Sequence, residues 1–183
     1  MHTAVALLPS WLKQRNPDSY WHSFHKWKFN DTDPINAKKI GIYIFGGINN
    51  KEEASNQLWK VSVSPKSDHR LINALVDTEL LIPNGHEPPA RCGHSACLHG
   101  NYIAVFGGKN LKENGGNPYQ AFNDLYIYNI MSNTWISLVL YGFTPAPNYG
   151  GFMCLLKGKL IAFGGVNAFR YCSMQPKLLE LGI

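Results

Sequence analysis

The residues with the most suggestive chemistry lie close together in the chain. Cys92, His94, Cys97 and His99 share one short segment, and thiolates and imidazoles are the side chains that zinc prefers. The segment has strand character, however, and successive side chains of a strand point to opposite faces. Cys92 and His94 would then face away from Cys97 and His99, so that they could not converge on one tetrahedral ion. We therefore predict no metal site here, and expect His94 to bond to the backbone.

Other catalytic constellations are equally absent from the sequence. No nucleophile–base pair, phosphate-binding loop or pair of carboxylates stands out. Only 12 residues are acidic, against 17 that are basic, and most of the acidic ones fall in polar turns. The sequence therefore predicts a protein that is not an enzyme and that needs no cofactor.

The segment belongs to a larger repeated pattern, in which three apolar runs end in the tripeptide Phe-Gly-Gly. The phenylalanines recur at a spacing of about 60 residues, which is typical of a repeat architecture. The glycine pairs let the chain turn and approach another backbone closely. The repeated residues are Phe45, Gly46, Gly47, Phe106, Gly107, Gly108, Phe163, Gly164 and Gly165.

The unit is clearest between Ala90 and Leu140. Turn residues separate four runs of strand character, which predicts four antiparallel strands in one sheet. The predicted strands are 91–98, 102–106, 123–130 and 135–140. A polar stretch, Lys109 to Gln120, connects the second strand to the third. Repeated sheets of this size are the blades of a β-propeller.

This unit resembles the kelch repeat. The family pattern has an Arg-x-x-His-Ser-like first strand, a second strand that ends in two glycines, an Asn-Asp-Leu-Tyr-like third strand and a Trp that opens the fourth. The matching residues are Arg91, His94, Ser95, Phe106, Gly107, Gly108, Asn123, Asp124, Leu125, Tyr126 and Trp135. The resemblance covers roughly residues 40 to 183. It implies an all-β, kelch-type β-propeller that is partial, with about three four-stranded blades and an incomplete last one.

The resemblance also divides the chain. We expect an aromatic lead at 1–25 that packs on the first blade, then blades at 26–82, 83–141 and 142–183. In the first blade, 26–29 is favoured as the first strand. Alternatively, Trp21 to Phe24 could be the last strand of an earlier blade. The run from Leu71 to Val76 has no Trp where the fourth strand of this blade should begin.

The chain is short for a closed propeller, because rings contain about four to eight blades. Open blade edges invite pairing with other chains. We therefore expect a part of a longer propeller or a truncated product, and a less favoured hypothesis is that two chains complete one ring.

Strand direction predicts a contact surface. The loops after each glycine pair and the loops that enter each first strand should share one face of a propeller. This face collects Arg, Lys, Asn and aromatic residues, which are enriched at protein interfaces. The predicted partner-binding residues are Asn49, Asn50, Arg91, Lys109, Asn110, Asn148, Tyr149, Asn167 and Arg170. Arg91 is the favoured one, since its planar donors suit a carboxylate.

The resemblance implies a protein-interaction module, with a partner segment that is acidic or polar. Some kelch-like propellers are instead copper enzymes, sugar epimerases or iron-dependent specifier proteins, and Tyr149, Tyr171 and His86 could reach loop positions. A truncated, non-functional product is a third hypothesis.

Composition limits the other function classes. The chain is 45% apolar and 13% aromatic, so it can bury a core. Its formal charge of +5 is scattered rather than clustered, which argues against nucleic-acid binding. No apolar run is long enough to span a membrane. The 4 cysteines, without a secretion signal, predict free thiols and a cytoplasmic location.

Overall fold

The computed structural model describes residues 3–7, 38–63, 76–111, 120–140, 144–167 and 176–179, and within these ranges all regular structure is β. The strands are β1 (Thr3–Leu7), β2 (Gly41–Phe45), β3 (Leu58–Val63), β4 (Val76–Leu81), β5 (Asn84–Gly85), β6 (Ser95–His99), β7 (Tyr102–Phe106), β8 (Lys109–Asn110), β9 (Gln120–Ala121), β10 (Leu125–Asn129), β11 (Thr134–Leu138), β12 (Asn148–Leu156), β13 (Lys159–Asn167) and β14 (Lys177–Leu179). Three antiparallel sheets, blades 1 to 3, confirm the predicted all-β fold.

Blade 1 is the sheet β1-β2-β3-β4. Its first strand is β1, which pairs along all of β2, from Thr3 opposite Phe45 to Leu7 opposite Gly41. The preference for 26–29 is thus corrected, because the free edge of β2 is filled by a short alternating segment much earlier in the chain. Residues 21–24 and 26–29 themselves lie outside the described ranges.

The fourth strand of blade 1, β4, begins at Val76, where the predicted run from Leu71 to Val76 ends. Thr78 lies opposite Val61 in this blade, as Trp135 lies opposite Tyr128 in blade 2. Thr78 therefore occupies the position at which the repeat normally carries its Trp.

Blade 2 confirms the predicted four-stranded unit. Its strands are ordered β11-β10-β7-β6, all antiparallel, with β7 as predicted and the others shifted by a few residues at their ends. A short fifth strand, β5, pairs in parallel with β11 on the outside. Gly85 in β5 has a positive φ, and a Cβ there would lie 2.3 Å from the carbonyl oxygen of Trp135. Only glycine fits this close approach.

Blade 3 is the sheet β12-β13-β14. It agrees with the predicted strands of the third repeat, with one difference at the glycine pair. β2 and β7 end at their Phe, whereas β13 continues through Gly164 and Gly165 to Asn167. Gly151 lies opposite Gly164 in the β12–β13 pairing, so the ladder is kept across the glycines.

The blades pack face to face through alternating side chains. We call the face of each blade that carries the repeated Phe its forward face, and the opposite face its backward face. The forward face of blade 1 contributes Tyr43, Phe45 and Leu58 to a core whose other half is the backward face of blade 2. The forward face of blade 2, including Phe106 and Leu125, packs in the same way on the backward face of blade 3. Each hydrophobic core is thus a joint between neighbouring blades.

Candidate functional site

The loop after the first glycine pair is bonded to the loop that enters blade 2. The backbone N–H of Gly47 donates to the carbonyl of Arg91, Arg91 donates to Ser55, and Ser55 donates back to Gly47, each over 2.9 Å. These three bonds close a small ring of backbone groups between blades 1 and 2.

The same ring recurs between blades 2 and 3. Gly108 donates to Asn148 over 2.8 Å, Asn148 to Phe122 over 3.0 Å, and Phe122 to Gly108 over 2.8 Å. Gly108 has φ +95°, and a Cβ there would lie 2.9 Å from the Cβ of His94. The glycine pairs therefore hold the loops of adjacent blades together at one rim, where the contact surface was predicted.

Arg91 does not belong to this surface. Its side chain is fully buried, and two of its nitrogens donate to Asp124, from Nη1 over 2.5 Å and from Nη2 over 2.9 Å. Further bonds reach the carbonyls of Pro89 and Gly107, and the guanidinium lies 4.3 Å from the ring centre of Phe122. The favoured partner-binding role of Arg91 is thus corrected: its donors are already used within blade 2, out of reach of a partner.

Five of the predicted contact residues are brought together in one partly exposed neighbourhood. Lys109 and Asn110 form β8, and the other three lie where β12 begins and β13 ends. The ammonium of Lys109 lies 4.1 Å from the ring centre of Tyr149, which joins blade 2 to blade 3 by a cation–π contact. We call this neighbourhood the rim patch; it consists of Lys109, Asn110, Asn148, Tyr149 and Asn167.

The remaining predicted contact residues are placed differently. Asn49 and Asn50 are exposed in the turn after Gly47. The side-chain oxygen of Asn49 accepts hydrogen bonds from the backbone N–H groups of Lys51 and Glu53, each over 2.9 Å, so this residue shapes its own turn. Arg170 lies outside the described residues.

The cysteine and histidine residues of the first paragraph are structural. His94 is buried with its ring 5.3 Å from that of Phe45, across the joint between blades 1 and 2. Burial raises the pKa of the Cys92 thiol, and burial followed by the nearby Cys154 raises the pKa of Cys97 to about 12. In the described part of the chain, no three His, Cys, Asp or Glu side chains are grouped so that they could hold a metal ion.

The signature residue Trp135 is buried in the same joint. Its ring lies 5.0 Å from Phe45 of blade 1 and 5.2 Å from Tyr128 of its own blade. Sequence reasoning missed two contacts that shape the rim, Arg91 with Asp124 and Lys109 with Tyr149. The first had a signal, because the Arg of the first strand and the Asp of the Asn-Asp-Leu-Tyr strand are parts of one motif. The described residues contain no helix long and apolar enough to cross a membrane.

Comparison with known proteins agrees with this geometry. The model of the KLHDC2/KLHL20/DRC7 Kelch-repeats domain matches residues 35–175. The rat Kelch domain-containing protein 10 is 27% identical over 153 residues, which cover 78% of this chain and 34% of that protein. Tip elongation aberrant protein 1 of Schizosaccharomyces pombe is 32% identical over 124 residues, which cover 68% of this chain and 10% of that protein. The chain thus spans about a third or less of these relatives.

A solved structure, that of YjhT, shares the fold. It superposes with a TM-score of 0.55 at 12% sequence identity, and the match covers 77% of this chain and 40% of that chain. The repeated sheets, the conserved order of motif parts within blade 2 and the matched family model agree, and this chain belongs to the kelch-repeat family.

Proposed function

We propose that this chain is a protein-interaction module whose rim patch binds a segment of another protein. The observation that carries the proposal is the contact between Lys109 and Tyr149. It places a cation and an aromatic ring from two different blades on one partly exposed surface, and such residues are enriched where proteins meet. Membership of the kelch-repeat family supports a role in protein binding.

The chemistry of the rim patch suits an acidic or polar segment. Its one charged side chain is basic, and three amide side chains, Asn110, Asn148 and Asn167, supply both donors and acceptors. Amides of this kind match the N–H and C=O groups of an extended peptide, while Lys109 offers its charge to a carboxylate. No reaction is proposed at this surface.

The thiols of Cys92, Cys97 and Cys154 are free. Free thiols are typical of a reducing compartment, and on this ground we place the protein in the cytoplasm.

The proposal can be tested with peptides selected by the purified chain from a displayed random library. Affinities of the selected peptides are measured by fluorescence anisotropy for the wild type, Lys109→Glu and Tyr149→Ala. We expect each variant to bind about tenfold more weakly, which is a loss of about 1.4 kcal/mol, and we expect the peptides to be enriched in Asp and Glu.

Lys157→Glu is the matched control, because it reverses the same charge in the exposed β12–β13 turn at the opposite rim. Its affinity should stay within about twofold of the wild type, a change of only a few tenths of a kcal/mol. If the control weakens binding as much as Lys109→Glu, or if no peptide is selected, the rim patch is not the binding surface.

A further inference from the structure

The forward face of blade 3 is open. Phe163 is 42% exposed, whereas Phe45 and Phe106 at the same repeat position are 3% and 2% exposed. Cross-strand pairing puts Phe152 opposite Phe163, with ring centres 5.1 Å apart. The residues of this face are Phe152, Cys154, Leu156, Lys159, Ile161, Phe163 and Leu178. Apart from Lys159 beside the β12–β13 turn, the face is apolar.

The backward face of blade 1 is open at the other end of the described structure. Ile42, Trp59 and Leu80 are each between about a third and a half exposed, while Tyr43 and Leu58 on the forward face of the same strands are buried. The residues of this backward face in β2, β3 and β4 are Ile42, Ile44, Trp59, Val61, Thr78 and Leu80. None of them carries a charge.

Two internal joints show what covers faces of this kind. In both, the forward face of one blade packs on the backward face of the next. At the first joint, Phe45 meets Trp135 at 5.0 Å and Tyr43 meets Tyr128 at 6.1 Å between ring centres. The open forward face therefore calls for a backward face, and the chain carries an open one of its own.

We propose that two copies of this chain assemble head to tail into one six-bladed ring. The forward face of blade 3 in each copy would pack on the backward face of blade 1 in the other. The two new joints are then equivalent under a two-fold axis that coincides with the axis of the ring. Six blades lie within the range of about four to eight in which propellers close.

The two open faces differ from the internal ones in ways that offset each other. Phe152 stands opposite Phe163, where blade 2 has Ser95 opposite Phe106. Conversely, Thr78 stands on the backward face of blade 1 where blade 2 has Trp135. A large ring is added on one end face and removed from the other, so their combined bulk stays near that of an internal joint. Close packing without voids is what a stable joint requires.

The test is the mass of the 183-residue chain in solution, measured by light scattering over a range of concentrations. We expect about 41 kDa, twice the 20.5 kDa of one chain, without further growth at higher concentration. A contact between two different faces either closes a ring or extends without limit, so a constant mass distinguishes the ring from a filament.

Two variants and a control locate the joints. Phe163→Asp and Leu80→Asp each place a charge on one open face, at side chains that are each 42% exposed. Each should convert the dimer to a monomer of 20.5 kDa with an unchanged circular dichroism spectrum, since both joints need both faces. Val139→Asp alters an apolar residue that is 73% exposed and lies on neither open face. It should leave the dimer intact.

The proposal is overturned by a wild type that stays monomeric at every concentration, because these faces would then take blades from elsewhere, such as a longer chain. Growth into larger assemblies, or a dimer that survives both Phe163→Asp and Leu80→Asp, would also overturn it. These outcomes are independent of Lys109 and Tyr149, so failure of the ring leaves the proposed binding surface standing.

Discussion

Arg91 and Asp124 form a forked ion pair between the segment that enters β6 and the segment that enters β10. The Asp124 side chain keeps 32% exposure, while the Arg91 side chain has none. The arginine also lies between the rings of Phe122 and Tyr126, at 4.3 and 5.3 Å from their centres. One side chain thus ties the first strand, the loop after the glycine pair and the third strand of blade 2 into one unit.

Arg91→Ala should destabilise the fold. Removing one partner leaves the other charge without its bonds, which costs about 3–5 kcal/mol for a buried pair. Because Asp124 is partly exposed, we expect a loss near the lower end, about 3 kcal/mol. Arg91→Lys keeps the charge but loses the fork, and should cost roughly half as much. Urea unfolding followed by tryptophan fluorescence measures both, and equal midpoints for all three proteins would contradict the structural role of Arg91.

Gly108→Ala should destabilise far more than Gly158→Ala. Both glycines have a positive φ, +95° and +78°, which costs a residue with a Cβ roughly 1–2 kcal/mol. At Gly108 the new Cβ would also lie within 3.0 Å of the Cys92 carbonyl oxygen and of the His94 Cβ, whereas nothing lies within 4 Å at Gly158.

The expected losses are about 1 kcal/mol for Gly158→Ala and about 3 kcal/mol for Gly108→Ala. Thermal unfolding measures the difference between the two variants. A shift in melting temperature that is equal for both would show that close packing at the glycine pair is unimportant.

The repeat pattern made most of the fold predictable. β7 was predicted residue for residue, because an apolar run that ends in Phe-Gly-Gly is unambiguous, and β6, β10 and β11 differ from their predicted bounds only at their ends. β1 escaped prediction because its pairing with β2 joins segments far apart in the sequence. Local propensity carries no information about such pairing.

The contact surface was predictable only in part. The direction of the strands indicates a rim at which Lys109 and Tyr149 meet, but no local pattern shows which exposed side chains touch. Arg91 illustrates the difficulty, since its partner Asp124 lies 33 residues further along the chain. An arginine that looks like a ligand for a carboxylate has found that carboxylate within its own blade.

Stability should fall as the pH rises above 9. Burial raises the pKa of Cys97 from 9.0 to about 12 and that of Tyr128 from 10.0 to about 12. Above pH 9 the unfolded chain therefore releases the thiol proton while the folded chain retains it. The unfolded state then binds fewer protons, so the free energy of unfolding decreases with pH. The stabilisation is complete below pH 9 and is lost between pH 9 and 12.

Comparing the wild type with Cys97→Ser isolates the thiol. Between pH 8 and pH 10 the free energy of unfolding of the wild type should fall by about 1.4 kcal/mol more than that of the variant. Urea titrations at the two pH values measure this difference. Parallel pH profiles for the two proteins would show that the Cys97 thiol is solvated in the folded state.

Trp135→Ala should be among the most damaging substitutions in the chain. Trp135 is buried and contacts Phe45 of blade 1 as well as Tyr126 and Tyr128 of its own blade. Removing a buried aromatic ring of this size costs about 3–5 kcal/mol. The neighbouring Ile136 of the same strand is 42% exposed, and Ile136→Ala should cost about 1 kcal/mol or less, because little apolar area is lost. Because the lost contacts span the joint between blades 1 and 2, we expect hydrogen exchange to rise on both sides of it in Trp135→Ala, in β2 as well as in β10. Faster exchange confined to blade 2 would show instead that the ring stabilises its own sheet and not the joint.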